Sequence, residues 1–280
     1  MQTPTILLPK PQNLFQHRAS RFRELANTKT SLAGYLNLMA ELADCQHSLS
    51  ERFLDTQQPD SLTTPPLDIS NRKRDIAWHD AVRGIAEGFK AKAEPIASVI
   101  NQIQHANSDE WETWADGLLA GELESLKPGL APFIAAALQV YWAGLAARLD
   151  VAKIRPLQTA YLCPVCGSLP VGGVLQTGGA VQGLRYLCCG LCASEWNRPR
   201  LQCVYCGSSK EVAYYGIDGA GEGIKAEACA SCKTYIKLMN REKDVGLEPI
   251  ADDLATLSLD ILLSDAGYQR LGFNLLFLPG

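Results

Sequence analysis

Eight of the ten cysteines fall into four Cys-x-x-Cys pairs between residues 163 and 232. Cys163/Cys166 and Cys189/Cys192 recur 40 residues later as Cys203/Cys206 and Cys229/Cys232, so both copies read C-x2-C-x22-C-x2-C. Four thiolates are the complement of a closed tetrahedral metal centre, and eight in two identical sets suffice for two such centres. The offset extends to other residues: Gly167-Ser168 aligns with Gly207-Ser208, Gly183 with Gly223, and Arg185 with Lys225. The pattern is that of an internally duplicated metal-binding module. A Cys-x-x-Cys turn folds back so that both sulfurs face one metal, and glycine after the second cysteine permits the positive φ such a knuckle needs. Gly167 and Gly207 supply it in the first pair of each copy, whereas Ala193 and Lys233 follow the second pairs. The spacer between knuckles holds one strand out, a turn and one strand back, as in a rubredoxin-like or zinc-ribbon module.

Two pairings fit the spacing. Sequential sites join Cys163, Cys166, Cys189 and Cys192 around one metal and the remaining four around another. An interleaved cross-brace joins Cys163 and Cys166 to Cys203 and Cys206 instead. The repeat favours the sequential arrangement, because each copy then closes its own site. Redox-active dithiols are the competing chemistry, but a dithiol needs no partner pair at fixed spacing. Zinc and a single iron suit four thiolates equally. Zinc would be structural, since no position is left open, whereas iron would add a one-electron couple. Either metal would contribute to folding a segment with few large apolar residues. Cys188 has no counterpart in the second copy, where Ala228 stands, and reads as a partly buried filler in preference to a reactive thiol near Arg185. Cys45 reads as a core or groove residue. His17, His47, His79 and His105 are scattered without paired spacing. No nucleophile elbow, phosphate loop or zinc-protease helix is present in the sequence, so no catalytic residue is assigned and the chain is expected not to be an enzyme.

The elements around these cysteines divide the chain. Residues 1–155 read as a helical bundle domain, 156–200 and 201–246 as two tandem rubredoxin-like modules, and 247–280 as a C-terminal helix and tail, an α+β architecture overall. Helical periodicity places Leu14, Phe15, Phe22 and Leu25 on one helix, and Leu32 to Leu54 on a long second one. Prolines at 59, 65 and 66 mark a loop. A further helix begins near Asn71 with Ile76, Val82, Ile85 and Phe89 inward, and another follows Pro95. Ser108 is the expected cap of the next helix. Leu130 to Leu149 is apolar except for Gln139 and Arg148 and barely reaches the ~20 residues needed to span a bilayer, so a buried core helix is expected. Short β-prone runs flank the cysteines, at Gly172–Gln176, Leu184–Leu187, Glu211–Tyr215 and Gly223–Ala226. Ile250 to Gln269 reads as one helix with an acidic start and an apolar face from Leu254, Leu257, Ile261 and Leu262. The N-terminus shows no secretory pattern, and thiolate sites without an export signal fit a reducing cytoplasm. Residues 156–246 carry nine Lys/Arg against seven Asp/Glu, too balanced for a nucleic-acid partner.

The strings LCPVCGSLPVGGVLQ from Leu162, GLRYLCCGLCASEW from Gly183, KAEACASCKTYIK from Lys225 and DDLATLSLDILLSDAGYQRLGFN from Asp252 resemble the formate dehydrogenase accessory protein FdhE family. The resemblance covers roughly residues 160 to 275, and the helical half agrees in kind. It implies a cytoplasmic protein that binds the catalytic subunit of respiratory formate dehydrogenase and supports its maturation before export. It also implies two iron ions in rubredoxin-like sites on the eight paired cysteines, with zinc as the alternative. A rubredoxin-like electron carrier is the rival function. On this reading Arg185, Glu195, Trp196, Arg198 and Glu227, taken as exposed residues between knuckles, are candidate partner contacts; the competing reading has Trp196 covering a metal site and the charges solvated. No stable membrane insertion is expected.

Overall fold

The computed structural model describes residues 4–53, 63–70, 74–89, 92–122, 126–127, 129–177, 183–217 and 222–277. Six helices make up the described helical half: α1 (Pro11–Thr28), α2 (Ala33–Ser50), α3 (Ala77–Phe89), α4 (Ile96–His105), α5 (Ser108–Ala120) and α6 (Leu130–Ala147). In α1, Pro11 occupies the first turn, where its missing N–H is no loss, and Phe15, Phe22 and Leu25 line the buried face. The expected second helix is shorter than its pattern, since after Ser50 it tightens into a 3-10 turn over Glu51–Phe53. The expected helix start near Asn71 lies outside the described residues. Val82, Ile85 and Phe89 face inward as their spacing requires. Ile76 does not: it precedes the helix and is 74% exposed.

The cap of α5 is Asn107 and not Ser108. Its side chain accepts from the Glu110 N–H while the Glu110 carboxylate accepts from the Asn107 N–H, a reciprocal capping box. Among the described residues one helix, α6, is long and apolar enough to cross a membrane, and 94% of it is buried inside the protein. It is apolar on every face because α1, α2, α3 and α5 pack around it.

The cysteine-bearing half is one eight-stranded sheet: β1 (Ile6–Leu7), β2 (Pro170–Leu175), β3 (Arg185–Cys189), β4 (Glu195–Asn197), β5 (Val212–Tyr215), β6 (Ile224–Cys229), β7 (Thr234–Asn240) and β8 (Gln269–Arg270). Its order is β1-β4-β3-β2-β7-β6-β5, with β8 beside β7. The 40-residue offset maps β2, β3 and β4 onto β5, β6 and β7. Each repeat is thus a three-stranded antiparallel meander, one strand more than the spacer alone predicts. The repeats join where β2 runs parallel to β7, with Gly173 opposite Leu238. The glycines matter at this seam. A Cβ at Gly172 would stand 3.2 Å from the Lys237 carbonyl oxygen, and one at Gly173 would stand 3.1 Å from Leu238 Cδ1. The N-terminal strand β1 covers the outer edge of β4.

The C-terminal stretch is two helices, α7 (Pro249–Leu254) and α8 (Leu257–Asp265), broken at Ala255–Thr256. The break rotates the second helix, so Leu259 and Leu263 are buried while Ile261 and Leu262 point outward. Asp252 and Asp253, the expected acidic start, are buried and paired. Arg21 engages Asp252 at 2.8 Å, and Arg18 meets Glu248 at 3.0 Å, which fastens α1 to α7. Lys237, fully buried on β7, reaches Asp253 at 3.1 Å and Asp260 at 2.5 Å. Arg270 and Asn274 complete the surroundings of Asp253. Such buried charges persist because each has a counter-charge and further hydrogen bonds.

Candidate metal centres

The sheet delivers the cysteines in two groups of four: Cys163, Cys166, Cys189 and Cys192, and Cys203, Cys206, Cys229 and Cys232. In each group every sulfur lies within 4.8 Å of the others. The grouping is sequential, one per repeat, and the cross-brace is not formed. Two edges of each group are 3.6 Å for Cys163–Cys192 and 3.4 Å for Cys166–Cys189, and 3.6 Å for Cys203–Cys232 and 3.7 Å for Cys206–Cys229. A tetrahedron of sulfurs about 2.3 Å from a zinc ion has edges of about 3.8 Å. Disulfides need about 2.05 Å, and all ten cysteines are free. The sulfur sets therefore fit two tetrahedral thiolate centres, and iron fits the same donor set as zinc.

The knuckles repeat in detail. The Cys163 N–H donates to the Ser168 carbonyl at 2.9 Å and Gly167 N–H to the Cys163 carbonyl at 2.8 Å; the second copy has Cys203 to Ser208 at 2.8 Å and Gly207 to Cys203 at 3.0 Å. Gly167 and Gly207 adopt φ of 82° and 78°. Ala193 and Lys233, which follow the other two knuckles, both adopt φ of 57°. All four turns are thus left-handed after the second cysteine, and two of them bear the Cβ strain that glycine avoids. Backbone N–H groups of Leu191 and Cys192 point at Cys189 Sγ, at 3.4 and 3.3 Å.

In each centre the thiol at the equivalent position is drawn below the ordinary thiol pKa. Burial opposes the charge on Cys189, but hydrogen bonds from Cys163, Cys166, Cys192 and Ser168 bring its pKa well below the ordinary thiol value. Burial likewise opposes ionisation of Cys229, yet backbone N–H groups of Cys232 and Ser231 and the neighbouring thiols bring it down to about 7. Burial pushes Cys203 up to about 12. Cys188 is buried beside the first centre but belongs to neither group. Burial, reinforced by Glu195, raises it well above the ordinary thiol value, as suits an inert filler. Cys45, on α2, is pushed up to about 11 by burial and by Asp44 and Glu41.

The exposure expected of the candidate contact residues is corrected. Arg185 is 1%, Glu227 4% and Trp196 4% exposed. Arg185 on β3 and Glu227 on β6 form an ion pair across the seam between repeats. Arg185 also donates to the carbonyls of Pro199 and Gln202, while Tyr214 donates to Glu227 at 3.1 Å. The Trp196 indole N–H holds the Ala160 carbonyl at 3.2 Å. Glu195 is partly buried between Gln176 and Arg241. Burial and the nearby Arg185 lower the pKa of half-buried Arg198. These side chains join the repeats to each other and to the segment that precedes β2.

One residue that the spacing did not single out ties the halves together. Gln139, the buried amide within apolar α6, donates to the Gly190 carbonyl in the Cys189–Cys192 knuckle at 2.7 Å. Its oxygen accepts from Gln46 at 2.9 Å and from Arg18 at 3.3 Å. A lone polar residue in an otherwise apolar core helix was the available signal.

Comparison with known proteins covers the whole arrangement. Residues 3–159 match the family described as FdhE, N-terminal; residues 162–200 match FdhE, central domain; residues 201–277 match FdhE, C-terminal domain. A protein named "Protein FdhE homolog" from Haemophilus influenzae (strain ATCC 51907 / DSM 11121 / KW20 / Rd) is 39% identical over 282 residues, covering 99% of this chain and 93% of the relative. One of the same name from Serratia proteamaculans is 38% identical over 286 residues, covering 99% and 92%. The crystal structure of the FdhE protein from Pseudomonas aeruginosa superposes with a TM-score of 0.88 at 32% identity, covering 99% of this chain and 100% of that one.

Proposed function

The chain belongs to the FdhE family, and from that premise we propose that it is an accessory factor, not an enzyme, that binds the catalytic subunit of respiratory formate dehydrogenase in the cytoplasm and supports its maturation before export. The observation that carries this reading is the match of three consecutive family segments from residue 3 to residue 277, which brings the helical half and both four-cysteine clusters together in one chain. The eight cysteines hold two metal ions, one per cluster, and iron is the proposed metal. Iron would supply a one-electron couple there, whereas zinc would be purely structural.

The geometry supports a docking role. Two coordinatively complete clusters stiffen a single sheet, and the helical half is fastened to a cysteine knuckle through Gln139 and to α7 through Arg18 and Arg21. Between α1 and the second repeat lies a groove of about 610 Å³, lined by charged groups including Arg21, Glu24, Lys29, Glu222, Lys243 and Asp244. A mixed-charge groove of this kind suits a polar partner surface better than a small apolar ligand. It replaces Arg185, Trp196 and Glu227 as the place to seek the client.

Affinity purification of the chain from cells expressing formate dehydrogenase tests the reading. The catalytic subunit is expected to co-elute, and formate dehydrogenase activity to fall when the chain is deleted. Failure of both refutes the role. Metal analysis with a visible spectrum of anaerobically prepared protein decides between iron and zinc, and a zinc-only preparation eliminates the electron-carrier alternative.

A further inference from the structure

Identical cysteine spacing has been placed in two different surroundings. In the first cluster all four ligands are buried. A loop of the helical half lies over its first knuckle: the Leu67 N–H donates to the Val165 carbonyl at 2.9 Å and the Ile69 N–H to the Cys166 carbonyl at 3.0 Å. The Leu67 carbonyl is itself held by Trp142 on α6 at 3.2 Å. The other knuckle is held from behind by Gln139 through Gly190. Ser168 and Ser194 place their hydroxyls against Cys166 and Cys192, at 2.8 and 3.3 Å. The second cluster differs. Cys206 is exposed and Cys232 half-buried. Its first knuckle is braced by an exposed bond from Gln202 to the Gly207 carbonyl at 3.0 Å, and its second by the exposed pair Ser231–Glu211 at 2.8 Å. Helix α8 covers the sheet face through Leu259 and Leu263, packed on Ala226, Ala228 and Tyr235, and leaves Cys206 at the surface. Tyr205, within the exposed Cys-x-x-Cys turn, packs on Tyr161 with ring centroids 5.2 Å apart.

We propose that the two centres differ in reactivity: the first is a sealed structural staple, and the second, through Cys206, is a ligand-exchange site that accepts an incoming thiol. The proposal rests on metal occupancy of both clusters and extends that reading to how the metal is reached. Substitution at a full tetrahedral centre requires an entering ligand to approach one face while an old ligand departs. Cys206 can depart into solvent, and Cys232 beside it leaves the adjoining face partly open. Cys163, Cys166 and Cys192 are fully buried and Cys189 is 3% exposed, so their exchange requires local opening first. In the step, a metal–sulfur bond to the incoming thiol forms as the bond to Cys206 breaks, and the thiol proton passes to the Cys206 sulfur. No electron moves, and total charge is conserved.

Full-length protein loaded with zinc to two equivalents is challenged with 4-(2-pyridylazo)resorcinol, with and without 2-mercaptoethanol. Iodoacetamide labelling mapped by mass spectrometry runs in parallel. One zinc is expected to leave at least about tenfold faster than the other, because opening the buried site adds an unfavourable pre-equilibrium. 2-Mercaptoethanol should accelerate the fast phase alone, and Cys206 and Cys232 should be alkylated before the first-centre cysteines. Cys206→Ser should remove the fast equivalent and leave the slow one. Release of both zincs in a single phase, or earlier alkylation of the first-centre cysteines, overturns the proposal. Binding of fewer than two equivalents defeats the two-metal reading itself, and the exchange site with it.

Discussion

The ion pair between Arg185 and Glu227 offers the sharpest test of how the repeats are joined. The two side chains come from different repeats and meet in the interior. Replacing Glu227 by alanine leaves a buried guanidinium without its counter-charge and removes the acceptor of the Tyr214 hydroxyl. Breaking a buried pair from one side is destabilising by about 3–5 kcal/mol. Even the lower figure is a change of roughly 150-fold in the folding equilibrium, since about 1.4 kcal/mol is tenfold. Arg185→Ala strands Glu227 and also releases the carbonyls of Pro199 and Gln202. The double variant Arg185→Met with Glu227→Leu removes both charges at similar volume. It escapes the stranded-charge penalty but still leaves those two carbonyls without Arg185, at about 1–3 kcal/mol for each buried group left unsatisfied. The double variant is therefore expected to lose less stability than the two alanine variants summed. A cycle built from Arg185→Met and Glu227→Leu singly and together should show a coupling of about 1.5 kcal/mol or more. Urea unfolding at fixed metal loading measures all of these. Single variants that each cost less than about 1 kcal/mol, and whose effects add, would refute the account.

Other expectations follow from the same geometry. Ala193→Gly should stabilise the metal-loaded protein by about 1 kcal/mol in urea unfolding, because Ala193 sits at φ 57° where only glycine is unstrained. Gln139→Leu should lower the thermal midpoint, since the Gly190 carbonyl loses this donor, at about 1–3 kcal/mol for a buried group left unsatisfied, while Gln46 and Arg18 lose one acceptor each and keep Ala136 and Glu248. Asp253 responds to acid. Burial alone would raise its pKa, but Arg270, Lys237 and Asn274 outweigh burial and hold it below the ordinary 3.8. Its contribution is therefore fully present above that value and is lost as pH falls through the lower folded pKa. Asp253→Asn should flatten that part of the stability profile, and an unchanged acid slope would count against the pairing.

Much of the local structure was legible in the chain. The period of Phe15, Phe22 and Leu25 places α1, and the apolar run interrupted only by Gln139 places α6 in the core. Local rules failed where alternatives lay one residue apart. Asn107 and Ser108 are both able caps, and only the reciprocal bond to Glu110 selects Asn107. Ile261 and Leu262 fit the face of one continuous helix, but the break before Leu257 turns them outward. Arg185 and Glu227 read as surface residues because charge is normally solvated, and 42 residues of separation hid that each satisfies the other.

By itself, the sequence marked the eight paired sulfurs and favoured one group per repeat, since a knuckle is a short-range turn and the repeat places 22 residues between the two knuckles of each copy; the structure brings them together in that grouping. It equally marked Gly167 and Gly207 as the left-handed turns. Only the tertiary structure decided that the second knuckles take the same turn without glycine, that the repeats fuse through β2 and β7, and that one centre is sealed while the other reaches the surface. The physical reason is range. Coordination spacing is written within each repeat, whereas burial depends on what the rest of the chain lays over it. The loop around Leu67 and the amide of Gln139 fall on the first copy alone.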